Sequence, residues 1–212
     1  ASLKRTDLAK IRTWIERGGD VNGEADPALV EGTDLNNGLE VPVVYPGNRL
    51  LTVAAECGRV DVMRLLLASG ADVNYVNHVN DESFETDIGY MRGTSAILVA
   101  ACRCEDDAVR LLIDHGADVN ATADGGDFSV LTFASKHHRI LKMVLATQRV
   151  NIGWRDSNGF TTEDRSQRIY DHLTIFADPQ SPQYDADAVI ARDTYRESCA
   201  ILRGTRLAGS YK

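Results

Sequence analysis

Five side chains in this sequence are of types that hold zinc or do thiol chemistry: Cys57, Cys102, Cys104, His137 and His138. Thiolate and imidazole are both zinc ligands. Cysteine is also a common small buried residue, which is the plainer use for it. No GxxxxGK[ST], HExxH, GxSxG or GxGxxG occurs. Those patterns would cradle phosphate, hold zinc, expose a nucleophilic serine or bind a dinucleotide. The carboxylates of Asp106 and Asp107 are adjacent, so on a helix they point to different sides and read as solvated charge. These residues predict no enzyme and no cofactor. A metal-binding or thiol-based activity at the five Cys and His residues is the alternative.

The other available chemistry is electrostatic. The chain holds 31 acidic and 23 basic residues, for a net charge of −8. Nine of the acids and one of the bases lie in two segments, which leaves 22 of each sign elsewhere. Residues 23–46 carry Glu24, Asp26, Glu31, Asp34 and Glu40 with no base; residues 75–92 carry Asp81, Glu82, Glu85 and Asp87 against Arg92. The net charge is therefore concentrated in two stretches. Such a balance argues against a duplex nucleic-acid binder. It suits a protein partner with a basic patch, whose approach the field would speed. The plainer reading is that acidic loops are simply solvated.

Composition frames the elements that would position these groups. The 212 residues are 43% hydrophobic and only 7% aromatic, so a core of Leu, Val, Ile and Ala is expected. No 18-residue apolar run predicts a membrane span. The opening ASLKRTDLAK has no apolar signal core, and four cysteines make no disulfide framework. These features predict a cytoplasmic protein, with the nucleus or delivery into a host cell left open, and a monomer on its own.

Internal repetition supplies the order. Residues 18–22 read GGDVN, and 70–74 and 116–120 both read GADVN. Each follows a helical pattern with three apolar residues on one face: Ile11, Trp14 and Ile15; Val62, Leu65 and Leu66; Ala108, Leu111 and Leu112. Upstream lie small-residue helices, LLTVAAECGR at 50–59, AILVAACRCE at 96–105 and VLTFASKHHR at 130–139. Gly70 and Gly116 suit left-handed helix ends, and the Asp and Asn after them suit side-chain-stabilised turns. The pairs Ala54-Ala55, Ala100-Ala101 and Ala134-Ser135 allow close helix approach.

This pattern resembles the ankyrin repeat family, in which a hairpin turn, two antiparallel helices and a loop recur about every 33 residues. The resemblance implies an all-α solenoid of about four and a half repeats with hairpin turns, and a non-enzymatic protein-binding role as adaptor, scaffold or inhibitor of immunity type. It covers residues 1–165: a partial repeat at 1–23, repeats at 47–74, 93–120 and 121–154, and long fingers at 24–46 and 75–92. Residues 155–212 then form a degenerate repeat and a divergent helical C-terminal cap, with helices expected over 162–177 and 187–203. Departures from the family pattern include Cys104 and His138, which stand where Gly58 stands in an earlier repeat.

The fingers come from uneven spacing. Gly18 to Gly70 is 52 residues and Gly70 to Gly116 is 46, both well beyond one repeat, and insertions of this kind map to loops on one face. Asn37-Gly38 between Leu35 and Leu39 signals a hairpin, so the first finger is expected to be ordered. Candidate partner contacts there are Glu31, Asp34, Leu39 and Tyr45; in the second finger they are Glu82, Phe84, Glu85, Tyr90 and Arg92. Phe84 and Tyr90 would either face a partner or dock on the solenoid. Tyr75 and Trp154 follow equivalent turns and would either anchor a partner or pack inward, Trp154 on the C-terminal helices. The resemblance implies that Glu56, Arg103, Lys136 and His137, at the ends of the inner helices, face a concave binding groove. Arg49 and Phe128 on neighbouring hairpins complete the candidate surface. Neighbouring helices sit about 8–10 Å apart, which is wide for one metal site spanning three of them.

Overall fold

The computed structural model describes residues 5–26, 29, 47–78, 93–180 and 185–207. After α1 (Arg5–Glu16) come two pairs of short antiparallel helices, α2 (Leu50–Glu56) with α3 (Val60–Ala68) and α4 (Ala96–Cys102) with α5 (Asp106–Asp114). A two-stranded hairpin, β1 (Thr122–Ala123) and β2 (Phe128–Ser129), leads into α6 (Val130–Ala134) and α7 (His138–Ala146). Two longer helices follow, α8 (Thr162–Phe176) and α9 (Ala186–Leu207).

Helices of five to nine residues are marginal alone, so stacking must hold them. One row is α2, α4 and α6; a second is α1, α3, α5 and α7; α8 packs on α6, and α9 on α7 and α8. The core runs between the rows through Met63, Leu66, Ile97, Leu98, Leu112, Ile140 and Leu141, each 1% exposed or less. Fully burying a side chain of this size contributes about 1.5–3 kcal/mol. The expected small-residue contacts are present: Ala54, Ala55, Ala100, Ala101, Ala134 and Ser135 are all buried.

The outer helices close as the sequence predicts. Gly70 and Gly116 adopt φ of 88° and 86°. Ala71 N–H then reaches back to Leu66 O and Ala117 N–H to Leu112 O, the six-to-one bond of a glycine-terminated helix. At the end of α7 the same left-handed position is filled by Gln148, at φ 55°. Between α4 and α5, Cys104 takes φ 60°, matching Gly58 at 62°.

His138 does not follow that pattern. Helix α6 is five residues long where α2 and α4 are seven. The turn into the outer helix therefore comes two residues early, and His138 is the first residue of α7. The sequence overlay slips here because no glycine marks the shortening.

The turns are joined by asparagine. Asn22 Nδ2 donates to Gly70 O (3.0 Å), and its Oδ1 accepts from Asp72 N–H (2.8 Å). Asn74 repeats this with Gly116 O and Asp118 N–H (3.3 and 2.8 Å), and Asn120 with Arg149 O and Asn151 N–H (2.9 and 2.7 Å). Meanwhile Asp20, Asp72 and Asp118 accept from the N–H two residues on, at 2.9–3.0 Å. In Asp-Val-Asn the aspartate thus shapes its own turn, and the asparagine ties that turn to the next.

The turn at 156–161 is built on Asp156. Its carboxylate is buried and accepts from Asn158 and Phe160 N–H (2.8 and 3.0 Å) and from Arg165. Thr161 and Asp164 then cap α8 reciprocally. In the last two helices Ala188, Cys199 and Leu202 are buried, whereas Ile169 is 38% exposed.

Candidate interaction surface

Residues 47–49 and 75–77 form a joint between the two finger segments. Tyr75 Oη donates to Gly47 O (2.8 Å), and the Arg49 guanidinium lies 3.5 Å from the centre of the Tyr75 ring. Arg49 also lies 3.9 Å from the Asp72 carboxylate. Beneath them Asn77 Nδ2 donates to Asn48 Oδ1 (3.0 Å), with both residues fully buried.

Each finger segment is tied at its root. Glu24 accepts from Gly47 N–H (2.8 Å), Ala25 N–H donates to Asn48 O (2.7 Å), and Ala25 and Leu29 sit in the core. Asn77 exchanges backbone bonds with Thr94 and Gly93 (2.8 and 2.6 Å), and Val76 bridges Ser95. Gly93, at φ 85°, would be cramped and strained by a side chain: a Cβ would stand 3.0 Å from Thr122 O and 3.4 Å from Ala123 Cα.

The candidate residues Glu31, Asp34, Leu39, Tyr45, Glu82, Phe84, Glu85, Tyr90 and Arg92 lie outside the described residues. Most of the others fall in three places. Arg49 and Tyr75 face each other in the joint. Glu56 and Arg103 pair across α2 and α4 at 2.5 Å, with the Glu56 side chain 7% exposed. Phe128 stacks on Phe133 with centroids 5.6 Å apart, the Lys136 ammonium lies 5.3 Å from the Phe133 ring, and Arg165 lies 5.9 Å from that of Phe128. These contacts make an aromatic and cationic ridge from β2 through α6 to α8. Trp154 is half-buried, with its ring 3.7 Å from where a Cβ on Gly126 would stand, so it covers the tip of the β1–β2 hairpin.

His137 and His138 point into different contacts. His137 Nδ1 lies 3.2 Å from Asp106, which Arg139 also approaches at 3.2 Å. His138 reaches α9, with Nδ1 2.9 Å from Glu197 and Nε2 2.9 Å from Thr194 O. Among the described residues, which include all five Cys and His candidates, no three His, Cys, Asp or Glu side chains meet in a group that would hold a metal ion. Burial, reinforced by Glu56, pushes the Cys57 thiol up to about 12, and burial also raises those of Cys104 and Cys199. A thiol held protonated is a poor nucleophile and a poor ligand. No described helix is long and apolar enough to cross a membrane.

Sequence reasoning missed the cross-joint. Tyr75 and Asn77 engage residues 28 and 29 positions away, and no local pattern announces such partners.

Helix pairs in register, tied turn to turn by asparagine, define a repeat protein whose exposed surface is assembled from successive units. Residues 47–78 match the family model described as ankyrin repeat, and residues 97–146 the one described as ankyrin repeats in many copies. These two stretches are ankyrin repeats, and such repeats mark a protein–protein interaction module. No curated protein matches the chain.

Proposed function

We propose that the chain grips a protein with a basic surface, using residues 24–46 and 75–92 as two acidic elongated hairpins together with the concave face of the inner helices. The repeats run to about residue 165, and α8 and α9 close the stack as a C-terminal cap. The observation that carries this reading is the buried joint of Asn48 with Asn77, reinforced by Arg49 and Tyr75. It roots together the two segments whose charge equals that of the whole chain. Two acidic arms on a common base present one field to an approaching partner, which raises its association rate. An adaptor and an inhibitor or immunity-type protein would use this same grip.

The experiment is capture from native cell extract at low salt, with wild-type bait beside Glu31→Gln/Asp34→Asn/Glu82→Gln/Glu85→Gln. The reading requires a partner that elutes as salt rises and is depleted by the fourfold variant. Equal capture of that partner by both baits removes the arms from the mechanism.

A further inference from the structure

The asparagine ladder stops at the fourth turn, and what replaces it is a cavity. Gly153 N–H donates to Asn151 Oδ1 (3.1 Å), just as Asn120 N–H donates to Asp118 Oδ1 (2.9 Å). Gly153 therefore occupies the position of Asn22, Asn74 and Asn120, and it has no side chain to reach onward. On this unextended face lies a cavity of about 750 Å³, bounded by the turn, the start of α8 and the last part of α9. That size is ordinary for a small-ligand site.

Its lining is unlike the rest of the chain. Arg149 and Arg155 come from either side of the turn and Arg206 from α9, with Glu163 the one carboxylate among the described lining residues. Three cations against one anion make a positive hollow in a protein of net charge −8. Glu163 is already engaged: its two oxygens lie 3.2 Å from Arg203 and 3.1 Å from Arg206. Arg155 donates to Gly159 O at 2.7 Å and lies 3.8 Å from the Asp164 carboxylate. Each guanidinium has five N–H donors in a rigid fork, so these few contacts orient Arg155 and Arg206 and leave donors to spare. Arg149 is exposed. Val150, Ile152 and Leu202 supply an apolar wall.

We propose that this cavity binds an organic anion, a carboxylate or phosphate group carried on an apolar body, with the arginines on the anion and the wall on the body. Guanidinium matches both oxyanions through paired charge-assisted hydrogen bonds. None of its described lining residues belongs to the acidic segments, and it selects the opposite charge, so it does not depend on the grip proposed above.

The test is titration of the 15N-labelled full chain with hexyl phosphate and with acetyl-Glu-Leu-amide, followed at the amides of Asn151, Ile152 and Gly153. Inorganic phosphate supplies charge without a body, and hexanol a body without charge. The proposal expects saturable shifts with at least one of the two organic anions, and the one that binds tells a phosphate source from a peptide one. Arg149→Ala and Arg206→Ala should each weaken binding about tenfold, the scale of one lost charge-assisted pair. Arg139→Ala, elsewhere on the surface, should leave it unchanged. Absence of shifts from both organic anions at about 10 mM, a weak-binding limit, overturns the proposal. So does binding that survives both arginine variants in a chain whose repeats still melt as wild type.

Discussion

The side-chain amide nitrogen of Asn77 donates to the side-chain oxygen Oδ1 of Asn48 at 3.0 Å, and both residues are buried. An uncharged pair of this kind avoids the desolvation that a buried ion pair would incur, and each amide still has a fixed donor and acceptor end. The contact therefore sets the orientation of one segment root against the other.

Asn77→Ala removes that bond inside the core. The expected loss of stability is about 1–3 kcal/mol, the usual cost of depriving a buried polar group of its partner. Urea unfolding followed by circular dichroism measures it; a change below the error of the midpoint would show that the pair is dispensable.

The ladder predicts a graded series at the surface. Asn120→Ala deletes both links between the third and fourth turns, and Asn74→Ala both links between the second and third. Each should cost about 1–2 kcal/mol, two modest hydrogen bonds' worth. Asp118→Ala removes a bond inside a single turn and should cost less, about 0.5–1 kcal/mol. Amide hydrogen exchange would place the loosening at the turn pair broken.

Two non-glycine residues hold left-handed backbone, Gln148 at φ 55° and Cys104 at φ 60°. Gln148→Gly and Cys104→Gly relieve that conformation, which costs a residue with a side chain about 1–2 kcal/mol. Glycine's greater freedom in the unfolded chain offsets part of the gain. Each variant is expected to be more stable by roughly 0.5–1 kcal/mol, read as a higher urea midpoint.

Stability should fall at both ends of the pH scale. Burial alone would raise the Asp156 carboxyl, but bonds from Phe160 N–H and from Arg165 hold it below its ordinary value of 3.8. That contribution is present above about pH 4 and disappears as acid protonates the folded carboxylate. Asp164, bonded to the Thr161 backbone and hydroxyl, behaves the same way. The thiols act in the opposite sense: Cys57 rises from 9.0 to about 12, so its contribution is intact below 9 and shrinks as pH climbs toward 12. Melting temperature against pH checks both limbs. Asp156→Asn should flatten the acid limb and Cys57→Ala the alkaline one.

Much of this architecture was legible because the repeat unit is local. Gly70-Ala71-Asp72-Val73-Asn74 encodes a helix end, a self-bonded turn and an outgoing amide within five residues. The shortened α6 was not legible, since Ser135-Lys136-His137 carries no glycine to mark the turn. For Tyr75 the sequence left an outward anchor and inward packing both open, because its partners, Gly47 and Arg49, become neighbours only when two repeats stack. The arginine cavity is more distant still in sequence. It draws Arg149 from the turn after α7 and Arg206 from the end of α9, and the one local sign of it is a lone Gly153 where the earlier turns carry asparagine.

The side-chain links between turns join only immediate neighbours, Asn22 to the 70–72 turn, Asn74 to 116–118 and Asn120 to 149–151. Under tension along its length such a chain would yield in steps rather than all at once. An optical trap should record a saw-tooth trace, each rupture releasing one unit, and the rip nearest the Gly153 end should come at the lowest force.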